Sequence, residues 1–254
     1  MLEAIATGKA DAGVGMALRW LKPLEQGFDV KVTAGTHGGC MRLLAPVNAG
    51  ISDVRSLKGK TIAVSDMSSP AKNFFSILLK KRGIDPESEV EWRQYPADLL
   101  PLAVEKGEAH ALAEGDPRTY KFLKDSEGKL FQVATNLSEE YQERVCCVVG
   151  IRGSLLRDDK PTAAALTRAV LEAQHVTSSD PEAAAKVFLQ YSPNSKAEDL
   201  VAMLKDQTHD HSPVGQNLKR EIAAYAEELK LISVFKPSTD PVKFADRVYA
   251  DVLT

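Results

Sequence analysis

The order of the predicted elements is the feature that most constrains the fold. Up to about residue 154, short apolar runs typical of strands alternate with helical runs, and beyond it the sequence predicts helices only. Alternation of this kind favours an α/β fold with largely parallel strands, followed here by a helical part. The predicted strands cover residues 30–35, 41–47, 60–65, 90–95, 109–115 and 145–151, and a further strand follows Gly8.

Several helices have clear start signals. Pro70 opens PAKNFFSILLKK, and Gly83 ends it. Asp180–Pro181 and Asp240–Pro241 each combine a good capping residue with Pro at the first helical position. The other predicted helical segments are 97–107, 161–176, 197–207 and 215–232, while those that begin at the two Asp-Pro pairs run over 180–191 and 240–253.

The composition is that of an ordinary globular protein. The 254 residues are 44% apolar and 26% charged, with a formal net charge of -3, which suits one or two domains. No basic block predicts a nucleic-acid partner, and no apolar run approaches the roughly 18 residues of a membrane span. Cys40, Cys146 and Cys147 are odd in number, so we expect buried thiols rather than a disulfide framework.

The stretch SDMSSPAKNF, residues 65–74, places a hydroxyl-rich turn between a predicted strand and a predicted helix. A helix start leaves about four backbone N–H groups without intrahelical partners and carries partial positive charge. Such a turn can hold an oxyanion without a charged side chain. The candidate contacts are Ser65, Met67, Ser68 and Ser69, with the alternative that Ser69 only caps its own helix.

Two further segments supply candidates from the first part of the chain. THGG follows a predicted strand, so His37 could donate a hydrogen bond and Gly38 could allow a ligand to approach the backbone. A capping or exposed histidine is the alternative. Met16 ends another predicted strand, whereas Trp20 after it is at least as well explained as a core residue.

Acidic residues at one strand end point to a different ligand chemistry. Glu114 and Asp116 would repel a small anion and suit an amine, a cation or a hydroxyl-bearing ligand. The alternative for Asp116–Pro117 is a helix start. The HDHSP segment, residues 209–213, brings two histidines together without identifiable further ligands, so we expect a polar surface turn and no metal site.

Six stretches in order carry a family resemblance: TGKADAG, VTAGTHGG, GISDVRSLKGKTIAVS, LLKKRGIDPESEVEW, EKGEAHALAEGDP and VVGIRGSLL. Together they resemble the nitrate/sulfonate/taurine-type solute-binding proteins of bacterial ABC importers. SLKGKTIAVS followed by a helix and RGIDP is the most specific piece. Ser56 and His110 depart from the family, which usually has Asp at both positions. A weak internal sequence similarity between residues 4–13 and 103–112 also suggests two similar lobes.

The resemblance implies a type II periplasmic-binding-protein fold with two α/β lobes and a ligand cleft. Lobe one would be residues 1–56 plus 149–254, and lobe two residues 57–148. The chain would cross near 48–56 and 145–151. The ligand would be a small oxyanionic solute, similar to nitrate, a sulfonate or bicarbonate, bound without catalysis or cofactor. The implied ligand contacts are Met16, His37, Gly38, Ser65, Met67, Ser68, Ser69, Glu114 and Asp116.

The resemblance also implies a membrane permease as partner and a periplasmic or other extracytoplasmic location, although the chain shows no signal peptide. Relative to the family, the chain begins part-way into the first lobe. We therefore expect an open sheet edge and exposed apolar surface at residues 1–15 and 30–47. Low monomer stability, or a partner chain such as a second copy covering that edge, would follow.

Two other functions stay open on the same fold. Pyrimidine synthases of thiamine biosynthesis and some aromatic-acid decarboxylases resemble it, but the synthases carry a cysteine-rich motif that Cys146–Cys147 does not match. The other hypothesis is that the chain is the effector-binding part of a transcription regulator. Such a part is normally attached to a helix-turn-helix.

Overall fold

The computed structural model describes residues 1–193, 195–208 and 211–254 and divides them into two compact units. Unit 1 comprises Met1–Gly39 and Gln142–Thr254, and unit 2 comprises Cys40–Tyr141. The first two residues of the HDHSP segment, His209 and Asp210, lie outside the described residues. Within the described ranges, no helix combines the length and the apolar character needed to cross a bilayer.

Unit 1 contains a three-stranded sheet and most of the described helices. Its strands are β1 (Ala12–Met16), β2 (Val30–His37) and β8 (Cys147–Arg152), in the order β1-β8-β2. Its helices are α1 (Leu2–Ala6), α2 (Ala17–Glu25), α6 (Gly153–Asp158), α7 (Lys160–Ser179), α8 (Pro181–Phe188), α9 (Ala197–Lys205), α10 (Gly215–Leu231) and α11 (Pro241–Val248).

The sheet of unit 1 is antiparallel throughout, so the prediction of largely parallel strands is wrong for this unit. Strand β8 runs opposite to both β1 and β2 and lies between them. The connection through α2 leaves β1 and β2 parallel to each other, as in a βαβ unit, but the space between them is filled by the late strand. Local sequence carries no signal for such an insertion.

Tight packing around Trp20 fixes the first strand against the last. The side chain is 3% exposed. A Cβ on Gly15 of β1 would lie 2.4 Å from the indole, and one on Gly150 of β8 would lie 2.6 Å from it. Only glycine leaves room for the ring at these positions. Trp20 is therefore a core residue, which confirms the alternative stated for it.

Unit 2 contains a mixed five-stranded sheet. Its strands are β3 (Met41–Pro46), β4 (Thr61–Val64), β5 (Glu91–Gln94), β6 (Ala111–Gly115) and β7 (Leu130–Thr135), in the order β5-β4-β6-β3-β7. Strands β5, β4 and β6 are parallel, and β3 runs opposite to both of its neighbours. Its helices are α3 (Pro70–Lys81), α4 (Leu100–Glu105) and α5 (Arg118–Asp125).

The boundaries of the units differ from the predicted lobe boundaries. Strand β3 pairs with β6 and β7, so the chain enters unit 2 after Gly39 rather than near 48–56. The second boundary falls after Tyr141, before β8, rather than near 148. Both shifts have one cause: strand pairing between distant segments decides which sheet a strand joins.

The two departures from the family resemblance have structural explanations. The imidazole Nδ1 of His110 accepts a hydrogen bond from the Thr61 N–H at 3.1 Å, while the His110 N–H donates to Thr61 O at 2.8 Å. Another side-chain acceptor, such as Asp, could serve the first bond equally. Ser56 lies in a short 3₁₀ turn, where its N–H and hydroxyl both donate to Asp53 at 2.9 Å.

Most predicted elements occur, but strand β7 and helices α2 and α6 are missing from the predicted segments. Strand β7 was not predicted, since only Leu130 and Ala134 of its six residues are buried. The helix after Asp116–Pro117 was left as an alternative and is present, but it begins at Arg118 with Pro117 as its N-cap residue. The three cysteines are free and buried, as expected.

The edge of the unit 1 sheet exposes less apolar surface than expected. In residues 1–15 and 30–47, the exposed large apolar side chains are Met1, Val14 and Val47. Two of these three belong to unit 1, and β1 contacts both α1 and α2. The physical reason given for a covering partner chain is therefore weaker, and a dimer stays a prediction.

Helix α3 is deeply buried in unit 2. Phe74, Phe75, Ile77 and Leu78 are all 0% exposed. The ring of Phe74 packs edge-on against Phe75 and against Tyr141, with centroids 5.2 and 4.9 Å away. This packing fixes the position of the turn that precedes the helix.

We expect Phe74→Ala to lower the free energy of unfolding by about 3–5 kcal/mol, because it leaves a cavity in a closed aromatic cluster. Urea denaturation measures the loss. Phe188→Ala is the matched control, since that ring is 40% exposed, and its effect should be within about 0.5 kcal/mol. Equal losses in the two variants would contradict the packing described for α3.

Candidate functional site

Unit 2 brings two of the predicted ligand-binding segments together at one edge of its sheet. Strands β4 and β6 are parallel neighbours, with Ile62 opposite Ala111 and Ala63 opposite Leu112. Their carboxyl ends therefore meet, so the turn after Val64 lies beside Glu114 and the residues that follow it. Ligands in α/β sheets commonly bind outside the carboxyl ends of the strands.

The turn after β4 is organised around Asp66, which the sequence analysis did not single out. One Asp66 carboxylate oxygen accepts hydrogen bonds from the N–H and the hydroxyl of Ser68, both at 2.8 Å. The Asp66 carbonyl accepts the N–H of Ser69 at 3.0 Å. An internal carboxylate thus takes two donors that we expected to face an external oxyanion.

Ser69 is the N-cap residue of α3, which confirms the alternative stated for it. Its hydroxyl oxygen accepts the N–H of Lys72 at 3.1 Å, and the residue is 1% exposed. The Ala71 N–H at this helix start and the Ser65 hydroxyl after β4 have no hydrogen-bond partner among the described residues. Met67 lies between Ser65 and Ala71 in the sequence, and its side chain is 44% exposed.

Glu114 has one satisfied and one unsatisfied carboxylate oxygen. Oε1 accepts the N–H of Gly115 at 2.8 Å. Oε2 is buried and, in the part of the chain that the structure describes, accepts no hydrogen bond. A guanidinium nitrogen of Arg118 lies 3.9 Å from Oε2, which is an ion pair but too long for a hydrogen bond. Oε2 can therefore still accept a hydrogen bond from a donor.

Asp116 belongs to a buried network instead. Arg42 Nε donates to its two oxygens at 3.0 and 2.9 Å, and the side chain of Asp116 is 2% exposed. The Thr119 hydroxyl and the Tyr120 N–H also donate to it, at 2.7 and 3.1 Å. Burial raises the pKa of Asp116 above its usual value, and the attraction of Arg42 opposes this rise. These contacts give Asp116 a structural role at this edge.

Besides Asp66, sequence reasoning missed Arg42 and Asn136 at this edge. Arg42 also donates to Gln132 at 2.6 Å, so it links β3 to β7 as well as to Asp116. Asn136 Oδ1 accepts the N–H of Met41 at 2.8 Å, while its buried Nδ2 has no partner among the described residues. Both assignments depend on the unpredicted strand β7, so no local signal was available.

In the unit 1 sheet, Met16 and His37 flank the same residue of β8. Each is registered opposite Cys147, Met16 from β1 and His37 from β2. Both therefore lie at the same edge of the unit 1 sheet, and both are half-buried. The Cys146 N–H donates to His37 O at 2.7 Å, which fixes the end of β2.

The loop after His37 is already hydrogen-bonded within unit 1. The Gly38 N–H donates to the carbonyl of Thr208 at 3.0 Å and contacts its hydroxyl at 3.2 Å. The imidazole Nδ1 of His37 lies 3.1 Å from Gly38 O. The Gly38 N–H is therefore occupied, whereas Gly39 has φ +81°, a conformation that accounts for glycine there.

We expect Asp116→Asn to lower the free energy of unfolding by about 3–5 kcal/mol, because it leaves the charge of Arg42 buried without its counter-ion. The double variant Arg42→Met with Asp116→Leu should be closer to the unsubstituted chain, since it removes both charges. Urea denaturation of the three proteins checks this. A double variant less stable than Asp116→Asn would contradict the role given to the pair.

Comparison with known proteins agrees with this architecture. The sequence profile of the family described as NMT1/THI5 like matches residues 1–184. The alkanesulfonate-binding protein SsuA from Xanthomonas axonopodis pv. citri, solved with MOPS bound, is similar with a TM-score of 0.78 and 18% identity, over 96% of this chain and 82% of that chain.

Two other solved structures show the same similarity. The periplasmic aliphatic sulphonate-binding protein SsuA from Escherichia coli has a TM-score of 0.78 at 17% identity, over 99% of this chain and 79% of that chain. The periplasmic nitrate-binding protein NrtA from Synechocystis PCC 6803 has a TM-score of 0.76 at 14% identity, over 99% and 75%.

At these identities the similarities establish the fold, which is the one predicted: that of the periplasmic binding proteins. A comparison with curated protein sequences finds no match. The family match itself spans well over half of the 254 residues. The chain belongs to the NMT1/THI5-like family.

Proposed function

We propose that this chain is the solute-binding component of an ABC importer and binds a small solute without transforming it. Family membership supports the proposal, as does similarity to proteins whose names state alkanesulfonate or nitrate binding. In this proposal units 1 and 2 are the two lobes. Met16, His37 and Gly38 of unit 1 stay predicted ligand contacts.

The main observation behind the proposal is the parallel pairing of β4 and β6 in unit 2. It places the turn after β4 beside Glu114 of β6. The turn offers the Ser65 hydroxyl and the Ala71 N–H at a helix start, where partial positive charge favours an oxyanion. Ser68 and Met67 lie in the same turn and are both exposed. We keep these residues as the proposed contacts of the anionic end.

The acidic groups of the same edge narrow the class of ligand. Asp66 holds the Ser68 donors and repels a bare anion, while the Oε2 atom of Glu114 lacks a hydrogen-bond donor. A nitrate-like ion would satisfy the turn and leave Glu114 unsatisfied. We infer that the preferred solute combines an oxyanion with an ammonium or hydroxyl donor, as in an aminosulfonate.

The partner and the location follow from the same proposal. A solute-binding component delivers its ligand to a membrane permease, and the similar proteins are described as periplasmic. We therefore propose a permease partner and an extracytoplasmic location. The enzyme alternative on this fold predicts turnover, so recovery of each bound solute unchanged after incubation supports binding alone, and product formation would overturn it.

We expect Ser65→Ala to weaken binding of an oxyanionic solute by roughly 10- to 100-fold, the usual effect of losing a hydrogen bond to a charged group, because the Ser65 hydroxyl is not held by Asp66. Asp66→Asn should strengthen binding, because it removes a negative charge from the same turn. A thermal-shift screen in buffer free of phosphate and sulfonate measures both, since solute at 100 times Kd stabilises by about 2.7 kcal/mol.

The matched control for this screen is Ser88→Ala, an exposed serine in the same unit but outside the turn. Its solute-induced shift should equal that of the unsubstituted chain. Equal shifts in the Ser65, Asp66 and Ser88 variants would remove the turn from the site, and no shift with any solute would contradict the proposed function.

Glu114→Gln tests the donor end of the solute. We expect it to weaken binding of 2-aminoethanesulfonate more than binding of ethanesulfonate, because only the first carries an ammonium group for the carboxylate. Isothermal titration calorimetry with the two sulfonates gives the ratio of the two Kd values. An unchanged ratio would show that Glu114 does not contact the solute.

A further inference from the structure

Unit 2 contains a cavity of about 570 Å³ at the edge of its sheet opposite to the candidate site. Leu130 begins β7 and Pro46 ends the antiparallel strand β3, so both lie at the amino end of the parallel strands. Helices α4 and α5 form the walls through Val104 and Phe122. Its volume lies within the range typical of small-molecule sites.

The floor of the cavity is apolar. Leu130 and Val104 belong to the hydrophobic core of unit 2, and Phe122 packs against that core. Pro46 and Pro101 complete the apolar lining. Val47, which also lines the cavity, is 63% exposed. An apolar body would gain burial here.

The rim carries mostly negative charge. Four acidic residues and one basic residue, Lys129, line it; the acidic ones are Asp98, Glu105, Asp125 and Glu127. Asp125 pairs with Lys121 at 2.5 Å, and Asp98 lies 3.8 Å from Arg118. In the described part of the chain, Glu105 and Glu127 have no ion-pair partner.

Two of the acidic residues also lie at the carboxyl ends of helices, where a negative charge is unfavourable. Asp125 is the last residue of α5 and Glu105 the last residue of α4. The carboxyl end of a helix carries partial negative charge, so an acid there is unfavourable and a cation is favourable. Lys124 is the basic residue in the last turn of α5, and its ammonium group lies over the Tyr120 ring.

We propose that this cavity is a second binding site and that it takes a small organic cation, an amine on an aromatic or hydrocarbon body. The apolar floor would bury the body, and Glu105 and Glu127 would pair with the ammonium group. The site shares no lining residue with the candidate solute site, so the two can be tested independently.

The test is a titration of the full ¹⁵N-labelled chain with benzylamine, followed by amide NMR, with phenylacetate and benzyl alcohol as anionic and neutral probes. We expect saturable shifts at Val47, Lys129 and Leu130, whose backbone encloses the mouth: the Val47 N–H donates to Lys129 O at 3.0 Å. Benzylamine should bind most tightly and phenylacetate least.

The double variant Glu105→Gln with Glu127→Gln should weaken benzylamine binding roughly fivefold, as expected for two partly exposed charge pairs. Glu108→Gln is the matched control, because Glu108 is exposed in the same unit but does not line the cavity. Equal affinity for benzylamine and phenylacetate, or no shift at millimolar probe, would overturn the proposal. Shifts of the same amides that grow with protein concentration alone would mean that a second copy covers the cavity and would also overturn it.

Discussion

The position of β8 between β1 and β2 is the constraint on which the rest of the structure depends. Val149 and Gly150 of β8 are registered with Val14 and Gly13 on one side and with Ala34 and Val32 on the other. Unit 1 therefore lacks its middle strand until residues 147–152 have been added, and unit 2 is inserted within it. Trp20 seals this arrangement, because its ring lies against glycines of both β1 and β8.

In unit 2 the corresponding constraint is the parallel pairing of β4 and β6. It places a helix start and an acidic strand end side by side, and the aromatic packing of Phe74 holds that helix start in position. Arg42 then ties β3, β6 and β7 together through Asp116 and Gln132. The candidate site thus combines donors and acceptors at strand ends that the buried Arg42–Asp116 ion pair links.

Much of this could be predicted from local sequence. Pro70 and Gly83 mark α3, and the Asp-Pro pairs at 180–181 and 240–241 mark α8 and α11. Capping of α3 by Ser69 was stated as the alternative to a ligand contact. These signals act over a few residues, where backbone hydrogen bonds and fixed proline geometry decide the structure. The end of β4 and the end of β6 were found for the same reason.

The remainder depends on contacts between distant segments. The boundary after Gly39 follows from β3 pairing with strands some 70 to 90 residues later in the chain, and the roles of Asp116 and Arg42 follow from that pairing. Asp66 was not predicted to be a site residue, because its partner Ser68 was itself predicted to contact the ligand. The helix start is neutralised from within the turn, and this changes the inferred solute from a bare oxyanion to one that also carries a donor.

The most direct test of this account is an amide NMR titration of the ¹⁵N-labelled chain with 2-aminoethanesulfonate in buffer free of phosphate and other sulfonates. The account predicts saturable shifts of the Ser68, Ala71 and Gly115 amides with a single Kd, since the turn and the Glu114 strand end would bind one molecule. Saturable binding that leaves these amides unshifted would contradict the placement of the site in unit 2.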